Sequence, residues 1–154
     1  MTTPLRERRA LLTVGMAGGL ALLAPHLAAA GQQSDVTAAN IKVVNDFCAA
    51  FASRDLNQPL AFLASDVVYR VTETTPPVTG HDGVKSRLQS FMDSSSRVEF
   101  EVLDTYAKGP MVVNHRIDTF TSTTRPLVWE GVGIFFIKDG KIREWHDYTI
   151  RISR

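Results

Sequence analysis

Val112-Val113-Asn114-His115-Arg116-Ile117-Asp118-Thr119-Phe120 and Ile142-Arg143-Glu144-Trp145-His146-Asp147-Tyr148-Thr149-Ile150 are the two stretches on which the reading of this chain turns. Each has the β-branched and aromatic content of a strand, and side chains on a strand repeat with period 2. Arg116 and Asp118 therefore share one face of the first, with Val112 and Phe120. Trp145 and Asp147 share one face of the second, with Thr149. A buried charge has to be paired, and one guanidinium fork can satisfy a carboxylate on each of two sides. The expectation is that the two faces meet and form an Asp-Arg-Asp cluster among apolar side chains.

Outward from these strands the punctuation is regular. Lys138-Asp139-Gly140-Lys141 reads as a tight hairpin, because Asp-Gly supplies the positive φ that such turns need. It joins a strand over 127–137 to the last one, over 142–152. Lys108-Gly109-Pro110 turns a strand over 98–106 into the one over 111–121. Short turns make successive strands antiparallel neighbours. Val67-Val68-Tyr69-Arg70-Val71-Thr72 reads as an earlier strand with Tyr69 and Val71 on one face. Thr74 to Gly80 is a loop, since neither Pro76 nor Pro77 belongs inside a central strand. Three helical stretches complete the chain: 36–52, with Ala39, Val43, Phe47 and Phe51 recurring at helical spacing; a short one over 60–63; and 81–92, striped by Val84, Leu88 and Phe91. The fold class is α+β: a curved, cone-shaped, mixed or antiparallel sheet packed against three N-terminal helices and enclosing an apolar pocket. Gly131 and Gly133 leave one face of a strand bare, as bends or close approaches require.

The 154 residues carry a net charge of +1, which bounds the chain to one domain and argues against nucleic acid as a partner. The single cysteine, Cys48, excludes an intrachain disulfide and a clustered-cysteine metal site; it sits in an apolar helical pattern as a small hydrophobe. Residues 1–30 are set apart. Arg6, Arg8 and Arg9 precede an uncharged run that ends in small residues, the layout of a secretory signal peptide, and the adjacent arginines resemble a twin-arginine signal. Cleavage after Ala30, a linker over 31–35 and a domain over 36–154 follow, with export to the periplasm or outside the cell. An uncleaved segment would instead give membrane contact, and a misassigned start codon a cytoplasmic protein.

Two carboxylates on one arginine can divide labour, the drier one staying protonated as an acid and the other acting as base. Arginine lowers both pKa values, whereas burial and mutual repulsion raise them. A base here would deprotonate water held by a hydroxyl such as that of Tyr69, and the acid would protonate an oxygen leaving group. A small strained oxygen heterocycle suits this geometry. The same trio could also be a structural ion network. His115 and His146 lie on the opposite faces from Asp118 and Asp147, so a metal site is poorly supported, and no G-x-S-x-G supports a serine nucleophile. Glu73 and Asp104 are further candidates that strand phase alone leaves unplaced.

Arg116-Ile117-Asp118, Trp145-His146-Asp147 and the tyrosine of Val67-Val68-Tyr69 resemble the limonene-1,2-epoxide hydrolase family, within the NTF2-like fold shared with ketosteroid isomerase and SnoaL-like proteins. The resemblance spans residues 36–152. It implies Asp118 as general acid, Asp147 as base, Arg116 as bridge and Tyr69 as water holder, with Trp145, Val71 and Phe120 around the substrate and no metal or other cofactor. The implied partners are a small apolar epoxide, water and a second copy of the chain. The face carrying Val128, Val132, Ile134 and Phe136 permits that pairing, and the same residues could equally cover the helices. One position departs: the family has an asparagine two residues after the tyrosine, where this chain has Val71. An isomerase or cyclase using the same carboxylates, or a domain that only binds a small molecule, are the alternative readings.

Overall fold

The computed structural model describes residues 24–122 and 126–153, with side chains from residue 34 onward. The element order is α1 (Ala24–Ala50), a 3-10 turn (Phe51–Ser53), α2 (Asn57–Leu60), β1 (Leu63–Arg70), β2 (Val78–Thr79), α3 (Gly80–Asp93), β3 (Arg97–Lys108), β4 (Met111–Thr121), β5 (Leu127–Lys138) and β6 (Lys141–Ile152). Up to residue 23 the expected leader lies outside the described residues. From Ala24 the backbone is helical and continues through residues 31–35, where the sequence suggested a linker. Alanine and glutamine are strong helix formers, and the one glycine costs only about 1 kcal/mol. Among the described residues no helix is long and apolar enough to cross a membrane.

The six strands form one mixed sheet in the order β2-β1-β6-β5-β4-β3. The four long strands are antiparallel neighbours, as their short turns dictate. Asp139 and Gly140 both take positive φ at the β5–β6 hairpin. β1 instead lies parallel to β6. The intervening α3, β3, β4 and β5 act as the long crossover that a parallel pair needs.

The helices cover the inner face of the sheet. α1 buries Asn40, Val44, Phe47 and Cys48, with Phe51 just beyond its end, while Ala39 faces solvent. The buried stripe is thus rotated by about one residue from the one read off the alanines, because the large aromatic rings have most to gain from leaving water. Phe47 sets its edge against Trp145 with ring centres 4.9 Å apart, and Phe51 stacks on Phe100 at 4.1 Å. α3 closes the other side with Val84, Leu88 and Met92. The core therefore fills one end of the inner face and leaves a cavity at the other.

Candidate active site

The ladder brings the two sequence stretches together on the inner face. In cross-strand order, Asn114 on β4 faces Gly133 on β5, which faces Asp147 on β6. Asp118 lies between Phe100 on β3 and Trp129 on β5. The missing side chain at Gly133 opens a lane across β5, and through it the Arg116 guanidinium reaches from its own strand to Asp147. A Cβ on Gly133 would lie 2.2 Å from Arg116 Nη1. The glycine is a requirement of the site.

The result is a buried, fully paired cluster. Arg116 is 1% exposed, Asp147 4% and Asp118 6%. Arg116 Nε donates to both Asp118 oxygens, at 2.9 and 3.1 Å. Nη2 donates to Asp147 Oδ1 at 2.7 Å, and Nη1 to Asn114 Oδ1 at 3.1 Å. Asn114 in turn donates to Cys48 Sγ at 3.3 Å, which fixes its carboxamide with the oxygen toward the arginine. The guanidinium carbon also lies 5.4 Å from the centre of the Phe100 ring. Asp147 Oδ1 accepts a second bond, 2.7 Å from Trp145 Nε1. Among the described residues its Oδ2 accepts only from the Tyr69 hydroxyl, at 3.3 Å, and keeps capacity for a further donor.

Electrostatics separate the groups. Burial pushes the Asp118 carboxyl up to about 6; the adjacent Arg116 opposes this, and the Asp147 charge adds to it. Burial acts to discharge Arg116, but the two carboxylates hold its pKa well above the ordinary arginine value. Burial, followed by the Asp147 charge, holds the Tyr69 hydroxyl well above the usual phenol range, so it stays a donor. Burial likewise raises the Cys48 thiol to about 12, which leaves it an unreactive thiol.

A cavity of about 470 Å³ opens over this cluster. Asp118, Asp147, Tyr69, Trp145, Val71 and Phe120 all line it, so of the residues the resemblance assigns to the site only Arg116 is absent from the lining. Arg116 acts from behind its two carboxylates. The Tyr69 ring is stacked on Trp145 at 3.8 Å, and its hydroxyl reaches Asp147 directly. Val71 and Thr72 were expected to face opposite ways, yet both line the cavity, because β1 ends at Arg70. Thr72 does not replace the absent asparagine: its hydroxyl is tied to Thr75 Oγ1 at 2.7 Å and to the Thr75 amide at 3.1 Å.

Glu73 and Asp104 are exposed and outside the lining; Asp104 accepts from the Tyr106 hydroxyl instead. His115 pairs with Glu130 and His146 with Glu144, both away from the carboxylates. His81 is half-buried against the Leu63 carbonyl. Among the described residues no three His, Cys, Asp or Glu side chains gather as a metal site would need. Sequence reasoning missed Asn114 and Phe100. Asn114 shares the strand phase of Arg116, and a polar residue on an inward face was the available signal.

A family model described as a SnoaL-like domain matches residues 44–145. Among solved structures, an epoxide hydrolase of the limonene-epoxide-hydrolase-like type from M. tuberculosis is 26% identical. That match covers 74% of this chain and 84% of that one, with a TM-score of 0.62. A proposed polyketide cyclase from Xanthomonas campestris pv. campestris is 23% identical over 73% and 90% of the two chains, with a TM-score of 0.64. A protein of ketosteroid isomerase-like fold from Catenulispora acidiphila, in complex with trimethylamine, is 16% identical over 69% and 83%, with a TM-score of 0.62. The last two likenesses are likenesses of fold.

Proposed function

The chain belongs to the SnoaL-like domain family, of NTF2-like fold, and from that premise we propose that it hydrolyses an apolar epoxide to a vicinal diol in one acid- and base-assisted step. The observation that carries this reading is the pair of carboxylates on one buried guanidinium beneath an apolar cavity, with burial keeping a proton on Asp118 up to a pH of about 6. A water placed between Asp147 Oδ2 and the Tyr69 hydroxyl oxygen gives its proton to Asp147 as its oxygen attacks an epoxide carbon. The carbon–oxygen bond of the ring breaks, and the ring oxygen takes the Asp118 proton. Each turnover thus moves one proton from Asp118 to Asp147 across Arg116. The net charge of the trio does not change, which matters where charge is costly to create. Exchange with solvent through the open cavity resets the pair.

Val71 favours a second reading. Valine offers no hydrogen bond to a water nucleophile, whereas an isomerase or cyclase needs none: Asp147 would take a carbon-bound proton and Asp118 would donate to the forming oxyanion. One experiment separates the two. The purified protein is incubated with a panel of epoxides in oxygen-18 water, beside Asp118→Asn and Asp147→Asn. Labelled diol from the parent, lost in both variants, is the expected result. Absence of diol from every epoxide with the fold intact would move the assignment to proton transfer or to binding alone.

A further inference from the structure

Arg87, on α3, is a cation of the cavity wall. It is half-buried and lines the cavity, yet among the described residues its guanidinium makes no hydrogen bond or ion pair. Ser90, one helical turn further on, presents an unbonded hydroxyl to the same cavity. Arg116 makes the contrast plain, since each of its three nitrogens already donates, to Asp118, Asp147 or Asn114. Asp118 and Asp147 are both held by Arg116, so among the described residues neither carboxylate pairs with the Arg87 guanidinium. The walls between are apolar: Leu88, Phe91, Phe100, Phe120 and Trp129.

We propose that Arg87, with Ser90, binds the carboxylate of an amphipathic substrate whose apolar body carries the epoxide down to Asp118 and Asp147. The proposal deepens the hydrolase reading and rests on it for the reaction. The geometry also fixes the orientation. A carboxylate at the deep end would meet the Asp118 and Asp147 carboxyls, whereas at Arg87 it meets a planar fork of free donors that fits it on two bonds. A neutral substrate of the same length would leave that half-buried guanidinium unpaired, at a desolvation cost that the acid avoids.

The test compares a medium-chain epoxy acid with its methyl ester at neutral pH in the parent, Arg87→Gln and Arg87→Lys. The matching saturated acid and ester serve as unreactive ligands for calorimetry. The parent is expected to prefer the acid. In Arg87→Gln the acid-to-ester ratio of kcat/KM is expected to fall about tenfold or more, the size of a lost charge-assisted hydrogen bond, mainly through KM. Arg87→Lys should restore part of it. Equal ratios in parent and Arg87→Gln would overturn the carboxylate site while leaving the hydrolase standing. No diol from either substrate, but saturated acid bound more tightly than ester in an Arg87-dependent way, would uphold the site and overturn the hydrolase. No diol and no such difference in binding would overturn both.

Discussion

Asp118 is the residue whose protonation can be followed from outside. Its folded pKa of about 6 lies above the ordinary 3.8, so the native state holds a proton that the unfolded chain releases. The sign follows: this carboxyl stabilises the fold fully below about pH 4, and its contribution is lost as pH rises through about 6. The gap corresponds to about 3 kcal/mol. Urea unfolding across that range should show the parent losing roughly this amount relative to Asp118→Asn, whose side chain does not titrate. The same proton is the one the proposed reaction consumes. Hence kcat/KM should fall by one power of ten per pH unit above about 6. Arg116 is the other sensitive position. Arg116→Met would strand two buried carboxylates and should cost about 3–5 kcal/mol in chemical denaturation. Arg116→Lys should rescue little, because an ammonium cannot satisfy Asp118, Asp147 and Asn114 from one plane.

The strands and helices show where sequence was sufficient. The period-2 pattern of β4 and β6 put Arg116 with Asp118 and Trp145 with Asp147, pairs that the sheet brings onto one inner face, and Asp139-Gly140 located the hairpin that aligns β5 with β6. The parallel pairing of β1 with β6 was not legible, since no local signal records which edge a distant strand joins. Nor was the exit of the chain from strand geometry after Arg70, which turns both Val71 and Thr72 toward the cavity. The pair of glycines in β5 was visible as a bare face, but its purpose depends on the neighbouring strands. At Gly133 an added Cβ meets Arg116 Nη1 at 2.2 Å, Phe135 at 2.7 Å and Asn114 Oδ1 at 2.8 Å, all side-chain atoms. At Gly131 it meets the Tyr148 carbonyl oxygen at 2.2 Å and Thr149 Cα at 2.7 Å, which are backbone. Side chains can shift and a paired strand cannot. Gly133→Ala should therefore cost about 1–3 kcal/mol and cut turnover by about tenfold or more through a displaced guanidinium. Gly131→Ala should cost more in stability. Thermal unfolding and kcat measured side by side distinguish the two.

At the scale of the whole molecule, the helices pack on the inner face of the sheet, and the outer face carries exposed apolar side chains. Val113, Val132 and Ile134 lie half-buried at its centre, with Tyr148 46% exposed and Ile150 68% exposed beside them. The register makes them neighbours: Val113 faces Ile134, Val132 faces Tyr148, and Glu130 faces Ile150. The charges among them are largely satisfied in place, Glu130 by His115. An exposed patch of this kind marks an interaction surface, and the same patch on a second copy is self-complementary under two-fold symmetry. The cavity opens on the opposite face, so pairing would leave it accessible. Sedimentation of the parent should therefore give a dimer, and Tyr148→Glu combined with Ile150→Lys should give a folded monomer with its cavity chemistry retained. A parent that stays monomeric as concentration rises would show instead that this face is tolerated in water, and that the apolar surface needed by the fold is all on the inner side.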